Sequence, residues 1–300
     1  MGDPNPRRVI VAESNKVSFK ESNMHPGLWD KRTSWRSWPP IIPGWRNWLI
    51  KVAAKKRADW TTRNLDQCIS LSLSNIKKNE PMLKAACFFW STTYNAFLFR
   101  QGPMSPTLAD VHMLTSLNIA GHINPSSLLV KPTTKLDSTR TGGWSQYITN
   151  YKTDSRSMSD KEYTTFLNMW LDIYILCGQA SSPTPNYLTL AEKISGNSKI
   201  PLGKILLGSL YNLLNRVSQH LMQNETVPTI IGPWWLLQLS LNLHLHKLVP
   251  LELINLCFPS WEYSEEQEEQ LPRSQKFHRC MSFGEAASAI TINGWFAYSF

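Results

Sequence analysis

The sequence has no uninterrupted apolar run long enough to cross a membrane. Its longest apolar stretch, residues 234–258, is broken by amide, imidazole and charged side chains that a bilayer span would not tolerate. The N-terminus is polar, and no apolar run follows the basic pair Arg7 and Arg8, so a secretory signal peptide is not expected. These absences predict an intracellular protein that makes no membrane contact.

Cysteine is scarce and never closely paired. The 5 cysteines are widely spaced, and Cys87 and Cys177 lie among apolar neighbours, which is typical of reduced core residues. No two cysteines have the Cys-x-x-Cys spacing that holds a structural zinc ion or forms a redox couple. The one close histidine pair, His244 and His246, offers two ligands where zinc takes three or four. The sequence therefore predicts no metal site.

Catalytic signatures are missing as well. The sequence contains no Gly-x-x-x-x-Gly-Lys loop, no Gly-x-Ser-x-Gly elbow and no cysteine nucleophile signature. Asp110 and His112 resemble an acid and base pair, but Asp110 is explained by its position at a helix start. The aspartates that a two-metal nuclease would need show no local clustering. They are Asp59, Asp66, Asp110, Asp154, Asp160 and Asp172. The sequence predicts neither an enzyme nor a bound cofactor.

The sequence is rich in apolar and aromatic residues with helical periodicity. With 42% hydrophobic and 11% aromatic residues, a chain of 300 residues can bury a large core. Apolar residues recur at steps of three or four in several stretches. These stretches begin near residues 45, 64, 81, 107, 159 and 201, and the second and third are expected to end near residues 76 and 90. The stretch after residue 159 has apolar residues on several faces, which predicts a helix covered on more than one side. Residues 97–106 resemble a short strand entering a turn. The predicted fold class is mainly α, a multi-helix bundle with at most a small β ribbon.

Local signals place two helix starts and leave one segment ambiguous. Thr107 with Asp110, and Ser159 with Glu162, have the spacing of a capping box. Residues 234–246 alternate apolar and polar side chains in a period of two, which favours a strand. The preceding proline, the near absence of β-branched residues and the length of the segment favour a helix instead. A helix is predicted there.

The chain divides into an arm and a body. Residues 1–40 lack apolar periodicity and contain two proline-containing segments, which predicts an extended, partly ordered basic N-terminal arm. Residues 41–300 are predicted to form one helical domain. Within it, residues 121–158 are rich in Ser, Thr, Pro and Gly and are predicted to form an irregular insert.

Positive charge is concentrated near the N-terminus. Residues 1–63 hold 13 Lys or Arg against 5 Asp or Glu, and the one acidic run lies at residues 262–269. Tryptophans are interleaved with these cations, a composition that suits phosphate contact and base stacking. The favoured interpretation is that the tryptophans are core anchors with solvated basic neighbours. The candidate nucleic-acid-binding residues are Arg46, Lys51, Lys55, Lys56, Arg57 and Arg63.

Four stretches together resemble a known family. The first is FFWSTTYNAFLFRQGPMSPTLADVHMLTSLNIAG, with a Trp-containing helix, an aromatic strand, a Gly turn and a Thr-Leu-x-Asp-Val helix start. Three later stretches follow in order: FLNMWLDIYILC, LAEKISGNSKIPLGKILLGSLYNLL and GPWWLLQLSLNLHL. Over about residues 45–300, this pattern resembles the plant mobile domain. The motif residues, expected to be structural, are Trp90, Phe97, Gly102, Thr107, Asp110, Trp170, Gly232, Trp234 and Gln238.

The resemblance implies a nuclear protein related to transposable elements and to the maintenance-of-meristems-like group, which is linked to gene silencing, gene expression and meristem integrity. It also implies a phosphatase of the protein phosphatase 7 type as a partner, and it identifies no catalytic residue. Family members commonly continue beyond a segment like FHRCMSFGEAASAITINGWFAYSF at residues 277–300, so a C-terminal truncation is expected. The family label "aminotransferase-like" does not fit, because Lys204, the nearest Schiff-base candidate, lies on a polar helix side without a phosphate cup.

Three functions from different classes follow from these observations. The first is a non-catalytic nuclear interaction module. The second is a nucleic-acid-binding protein that acts through the basic, Trp-rich N-terminal third, with an affinity that falls as salt rises. The third is a cryptic transposon-derived enzyme, which would gather acidic residues around a cleft.

Overall fold

The computed structural model describes residues 38–99, 102–136, 143–152, 158–178 and 183–245. The predicted N-terminal arm up to residue 37, His246 and the acidic run at 262–269 lie outside the described residues. Within them the chain is mainly helical with one small sheet, as predicted. None of the helices in these ranges combines the length and the hydropathy that crossing a membrane requires.

The elements follow one another in a simple order. The α-helices are α1 (Trp45–Thr62), α2 (Asp66–Leu71), α3 (Glu80–Cys87), α4 (Leu108–Thr115), α5 (Gly143–Lys152), α6 (Asp160–Met169), α7 (Leu188–Ser195), α8 (Leu202–Met222) and α9 (Trp234–Leu245). The strands are β1 (Trp90–Ser91), β2 (Ala96–Phe99) and β3 (Gly102–Met104). A short 3-10 helix spans Pro125–Leu128, and a π-helical segment, Trp170–Ile175, continues α6.

The sheet is an antiparallel meander between α3 and α4. Phe97, on the central strand, pairs with Trp90 on one side and with Met104 on the other. The Trp90 and Phe97 rings meet edge to face, with centroids 4.9 Å apart, and both side chains are fully buried. The predicted β ribbon is therefore confirmed, and it packs on α8 through β1.

Helix α4 starts at the predicted capping box. The Thr107 hydroxyl accepts from the Asp110 backbone N–H at 3.2 Å, and the Asp110 carboxylate accepts from the Thr107 N–H at 2.7 Å. Two of the backbone N–H groups that lack an intrahelical partner at the helix start are thereby satisfied. Helix α4 then packs against α8 and α9.

Helix α6 and its π-helical extension form the centre of the molecule. Every residue from Glu162 to Cys177 is buried, which agrees with the prediction of a helix covered on more than one side. Ser159 caps the start of the helix, its hydroxyl accepting from the Glu162 N–H at 3.1 Å. Helix α7 packs along α6, and α1 approaches from another side with its tryptophans.

Helices α8 and α9 agree with their predictions. Pro201 immediately precedes α8, which buries one stripe of leucines and leaves Lys204, Asn212 and Arg216 exposed. The ambiguous segment after Pro233 is a helix. Its two-residue alternation is misleading because the helix is buried on most sides, so even Gln238, Ser240 and Asn242 lie inside.

Three features differ from the sequence expectation. Helix α3 ends at Cys87 rather than near residue 90, because the chain then turns to pair with β2, so Trp90 lies in strand β1 and not in a helix. Helix α2 ends at Leu71 rather than near residue 76. The Ser72 hydroxyl, which follows Leu71, donates to the Ile69 carbonyl and accepts from the Trp45 indole N–H. The stretch 121–158 is not irregular throughout, because it contains α5. Helix α5 forms because Trp144, Tyr147 and Ile148 make one apolar face, which packs on α1.

Candidate functional site

Helix α1, which carries most of the predicted binding residues, has an inner face built from aromatic side chains. Trp45, Trp48 and Trp60 are all at most 2% exposed. Trp45 and Trp60 stack on Phe166 of α6, with ring centroids 4.9 and 5.7 Å apart. Because rings packed in the core cannot stack on nucleotide bases, these three tryptophans are core anchors, as the favoured interpretation predicted.

One of the predicted basic residues, Lys51, is held by a buried carboxylate. The Lys51 ammonium donates to Glu162 Oε1 at 2.7 Å and to the Tyr151 carbonyl at 3.1 Å. The same Glu162 oxygen accepts from the Trp48 indole N–H at 3.2 Å, and Glu162 is only 4% exposed. These charge-assisted bonds tie α1 to α5 and α6. Lys51 therefore has a structural role.

Two more of the predicted cations surround a buried phenol. Arg63 donates to the Asp59 carboxylate, to a backbone carbonyl of α7 and, at 3.1 Å, to the Tyr163 hydroxyl. The Trp60 N–H donates to the same hydroxyl at 3.0 Å, and Lys56 lies 4.6 Å above the centre of the Tyr163 ring. Burial raises the pKa of Tyr163, although the Trp60 N–H partly offsets this effect, so the phenol stays neutral and acts as an acceptor.

The remaining three predicted cations lie on the solvent side of the same helix. Arg46, Lys55 and Arg57 are exposed, and no carboxylate of the described ranges forms an ion pair with them. Helical geometry places Arg46 and Arg57 only about 20° apart around the axis, with Lys55 at the opposite edge of the exposed half. Between the two edges lies Ile50, which is 56% exposed. We call Arg46, Ile50, Lys55 and Arg57 the outer face of α1.

A second notable group surrounds Asp172 in the π-helical segment. Asp172 is fully buried, and its Oδ2 accepts from the Thr184 hydroxyl at 3.1 Å. The Asn168 amide N–H donates to the Thr184 carbonyl at 2.9 Å. Asp172 Oδ1 and Asn168 Oδ1 have no hydrogen-bond partner. Burial raises the pKa of Asp172 to about 6, and the Thr184 hydroxyl offsets part of this rise.

Gly178 closes this group from the loop that follows. A Cβ at Gly178 would overlap Asp172 Oδ1, so any other residue would have to displace the Asp172 carboxylate. The Gly178 N–H donates to the Asp172 carbonyl at 2.6 Å. Sequence reasoning missed the role of Asp172, although a carboxylate between Leu171 and Ile173 in a buried helix was the available signal.

The motif residues in the N-terminal half of the body all take part in packing or capping. The Trp90 indole N–H donates to Asn215 of α8 at 2.7 Å, while Phe97 fills the centre of the sheet. Gly102 lies at the start of β3, opposite Phe99. The remaining two motif residues of this half, Thr107 and Asp110, form the capping box at the start of α4.

The motif residues of the C-terminal half lie at contacts between elements. Trp170 is fully buried in the π-helical segment. Gly232 is buried against Leu213 of α8, which a Cβ would approach to 3.1 Å. The Trp234 indole N–H donates to the Ile230 carbonyl at 3.1 Å. Gln238 accepts from the backbone N–H of Asn79 and donates to the Lys77 carbonyl, both at 2.8 Å.

Comparison with known protein families gives one result. The profile of the plant mobile domain matches residues 64–293. The chain belongs to the plant mobile domain family. No curated protein and no solved structure matches it. The match begins just after α1, so the outer face of α1 lies outside the matched range, whereas the Asp172 group lies within it.

The side chains of this plant mobile domain that could serve as nucleophiles in the described ranges include Lys204 and three cysteines. Lys204, the Schiff-base candidate, is exposed and donates to the Gly121 carbonyl at 2.9 Å. Burial raises the pKa of the Cys68, Cys87 and Cys177 thiols, so they stay protonated and unreactive in the folded state. No three His, Cys, Asp or Glu residues of these ranges converge on one point.

The predicted aspartates fall into separate local roles. Asp59 pairs with Arg63, Asp110 caps α4, and Asp160 lies in the first turn of α6. Asp66 starts α2 and Asp172 belongs to the buried group, while Asp154 lies outside the described residues. The arrangement therefore offers a surface for binding, namely the outer face of α1, and a buried titratable group.

Proposed function

We propose that this plant mobile domain protein is a non-catalytic interaction module that acts in the nucleus and binds an acidic partner protein through the outer face of α1. The observation that carries the proposal is the composition of that face. Arg46 and Arg57 lie on the same stripe of the helix as the exposed Ile50, and Lys55 lies at the far edge of the exposed half. The described carboxylates nearby, Asp59 and Glu162, are already bonded to other groups.

Exposed apolar and arginine side chains side by side are typical of a protein interface. The inner face of α1 is locked to α5 and α6, so the outer face is presented on a rigid helix. A rigid surface loses little conformational entropy on binding, which favours affinity. The exposed Ile50 is the feature that favours a protein over a phosphate backbone, because phosphates gain nothing from an apolar contact.

The nuclear role rests on family membership. Plant mobile domain proteins are associated with transposable elements, gene silencing and meristem maintenance, and this chain is proposed to act in the same setting. The first partner to test is a phosphatase of the protein phosphatase 7 type, which the family resemblance suggests.

The alternative function is nucleic-acid binding, which the same three cations favour because they are free to contact phosphates. The burial of Trp45, Trp48 and Trp60 removes the stacking component that the sequence had suggested, so the alternative reduces to backbone contact.

The test compares two charge-reversal variants of the full chain. Arg46→Glu with Arg57→Glu alters the outer face. Lys199→Glu with Arg216→Glu makes the same change in net charge at exposed positions on and next to α8. Deleting α1 is unsuitable, because the deletion would remove Trp45, which the core requires.

Each chain is fluorescently tagged, localised in plant cells and captured from nuclei, and the retained proteins are compared. We expect wild type and the α8 variant to enter the nucleus and retain the same proteins, and the α1 variant to lose them. Identical retention by all three chains would refute the proposed surface.

A titration of duplex and single-stranded DNA and RNA across a salt series addresses the alternative. If the chain binds and the affinity falls steeply with salt, and the α1 variant alone loses this binding, the nucleic-acid function replaces the protein-interaction function. If none of the nucleic acids binds, the alternative is eliminated.

A further inference from the structure

The described body has an excess of exposed positive charge, and its carboxylates are largely engaged. Glu80 pairs with Lys78, Glu162 with Lys51 and Glu225 with His220. Glu192 accepts from the backbone N–H groups of Thr133 and Thr134 and from the Thr133 hydroxyl, at 2.5–2.9 Å. Few carboxylates in the body are therefore left to neutralise the outer face of α1.

The sequence carries its one acidic run in the chain that follows α9. This run is Glu262, Glu265, Glu266, Glu268 and Glu269. Phe258, Trp261 and Tyr263 lie among or just before these glutamates. The run thus combines negative charge, which complements the three cations of the outer face, with large apolar side chains, which complement Ile50.

We propose that the acidic run at 262–269 docks on the outer face of α1 within the same chain and competes there with the acidic partner. The competition rests on the proposed function, because the run can regulate partner binding only if a partner binds the outer face of α1. The contact itself depends only on complementarity between the two segments.

The length of the connecting chain permits this contact. The 17 residues from Leu245 to Glu262 can span up to about 55 Å, whereas a body of this size has a radius of gyration of about 16 Å. The cations of the outer face extend over about 16 Å between Arg46 and Arg57. An extended run from Glu262 to Glu269 covers about 23 Å. The acidic run is therefore long enough to extend along the whole face from Arg46 to Arg57.

The test is zero-length cross-linking of the full chain with a carbodiimide. The reagent activates a glutamate carboxylate, and attack by a nearby lysine amine forms an amide with net loss of water, so only groups in ion-pair contact are joined. We expect Lys55 to be joined to a glutamate of the run, identified by mass spectrometry. The ion pair of Lys78 and Glu80, 2.6 Å apart, is the positive control for the chemistry.

Two comparisons make the result specific. Raising the salt from about 50 to about 500 mM shortens the Debye length to a few ångströms, so the Lys55 product should fall several-fold. Arg46→Glu with Arg57→Glu should lower it several-fold too, whereas Lys199→Glu with Arg216→Glu should not. Mixing chains of light and heavy nitrogen separates contacts within one chain from contacts between two copies.

Three results would overturn the proposal. They are a control product without any Lys55 product, coupling of the run mainly to other lysines, and products formed only between copies. Replacing the five glutamates with glutamine provides the functional measurement, because it should increase partner capture several-fold if the run competes.

The two proposals can fail separately. A missing Lys55 product together with partner loss in the α1 variant leaves the proposed function standing and removes the competition. A Lys55 product together with unchanged partner capture in that variant supports docking of the acidic run and refutes the proposed partner-binding surface.

Discussion

Asp172 illustrates how a single residue can depend on the folded state for its ionisation. Its buried carboxyl has one hydrogen bond to Thr184 and an unpartnered second oxygen, and burial raises its pKa to about 6. In the unfolded chain an aspartate titrates near pH 4. The folded state therefore binds the proton more tightly than the unfolded state does. The contribution of Asp172 to stability is greatest below pH 4 and is lost as the pH rises through 6.

The first prediction concerns Asp172→Asn, which keeps an acceptor for Thr184 and removes the charge. At pH 7.5 the variant should have a free energy of unfolding about 2–3 kcal/mol above that of the wild type, and at pH 4 the two should be nearly equal. Urea titrations at both pH values measure this difference. An effect of the same size at both values would show that the carboxylate charge is not responsible.

The second prediction concerns Glu162, whose carboxylate holds Lys51 and Trp48. Glu162→Ala leaves a partly buried ammonium and an indole N–H unpaired, so the free energy of unfolding should fall by about 2–4 kcal/mol. Glu162→Gln keeps an acceptor for Trp48 and should cost roughly half as much. Denaturation midpoints compare the two variants. Equal losses would mean that the indole bond contributes nothing.

Contacts of this kind could not be predicted from the sequence. Glu162 was identified as part of a capping signature, whereas its side chain contacts Lys51, which lies 111 positions away along the chain. Lys51 looked like a solvent cation, because helical periodicity identifies a polar face and does not reveal which charges are paired. Only the packing of α1 on α6 decides which cations remain free.

Elements were easier to predict than contacts. Helices α1, α4, α6, α8 and α9 and the small sheet follow from apolar periodicity, caps and prolines, which act within a few residues. Helix α5 was missed because its aromatic stripe of Trp144 and Tyr147 lies in a segment dominated by Ser, Thr and Gly. The π-helical segment has no sequence signal in this chain.

The third prediction belongs to the scale of the element and concerns the start of α4. Thr107→Ala removes the acceptor of the Asp110 N–H and one hydrogen-bond donor to the Asp110 carboxylate. The free energy of unfolding should therefore drop by about 1 kcal/mol. Thr61→Ala, at an exposed position in α1, is the control and should change stability by less than about 0.5 kcal/mol. Thermal or urea denaturation compares them. An equal change in both would argue against the capping box.

At the scale of the whole molecule, the described residues combine one continuous apolar core with an asymmetric surface. The core runs from Trp45 to Leu241 through all the described helices. The surface variants used for the binding tests leave this core untouched, since Arg46 and Arg57 make no ion pair with a described carboxylate.

The fourth prediction is that Arg46→Glu with Arg57→Glu changes the free energy of unfolding by no more than about 1 kcal/mol. The reason is that exposed charges without partners contribute little to folding. Urea denaturation of the variant beside the wild type measures it. A larger loss would mean that the outer face supports the fold, and the binding tests would then need other substitutions.

The three cysteines of the described residues are fully buried, and their reactivity can report how the fold opens locally. Cys68 lies in α2, Cys87 at the end of α3 and Cys177 just after the π-helical segment. A thiol-specific alkylating reagent can reach each one only when its surroundings open, so the labelling rate at each site reports a local opening equilibrium. Peptide mapping resolves the sites from one another. Labelling at a common rate would mean that the body opens as one cooperative unit, and separate rates would reveal the order in which its parts come apart.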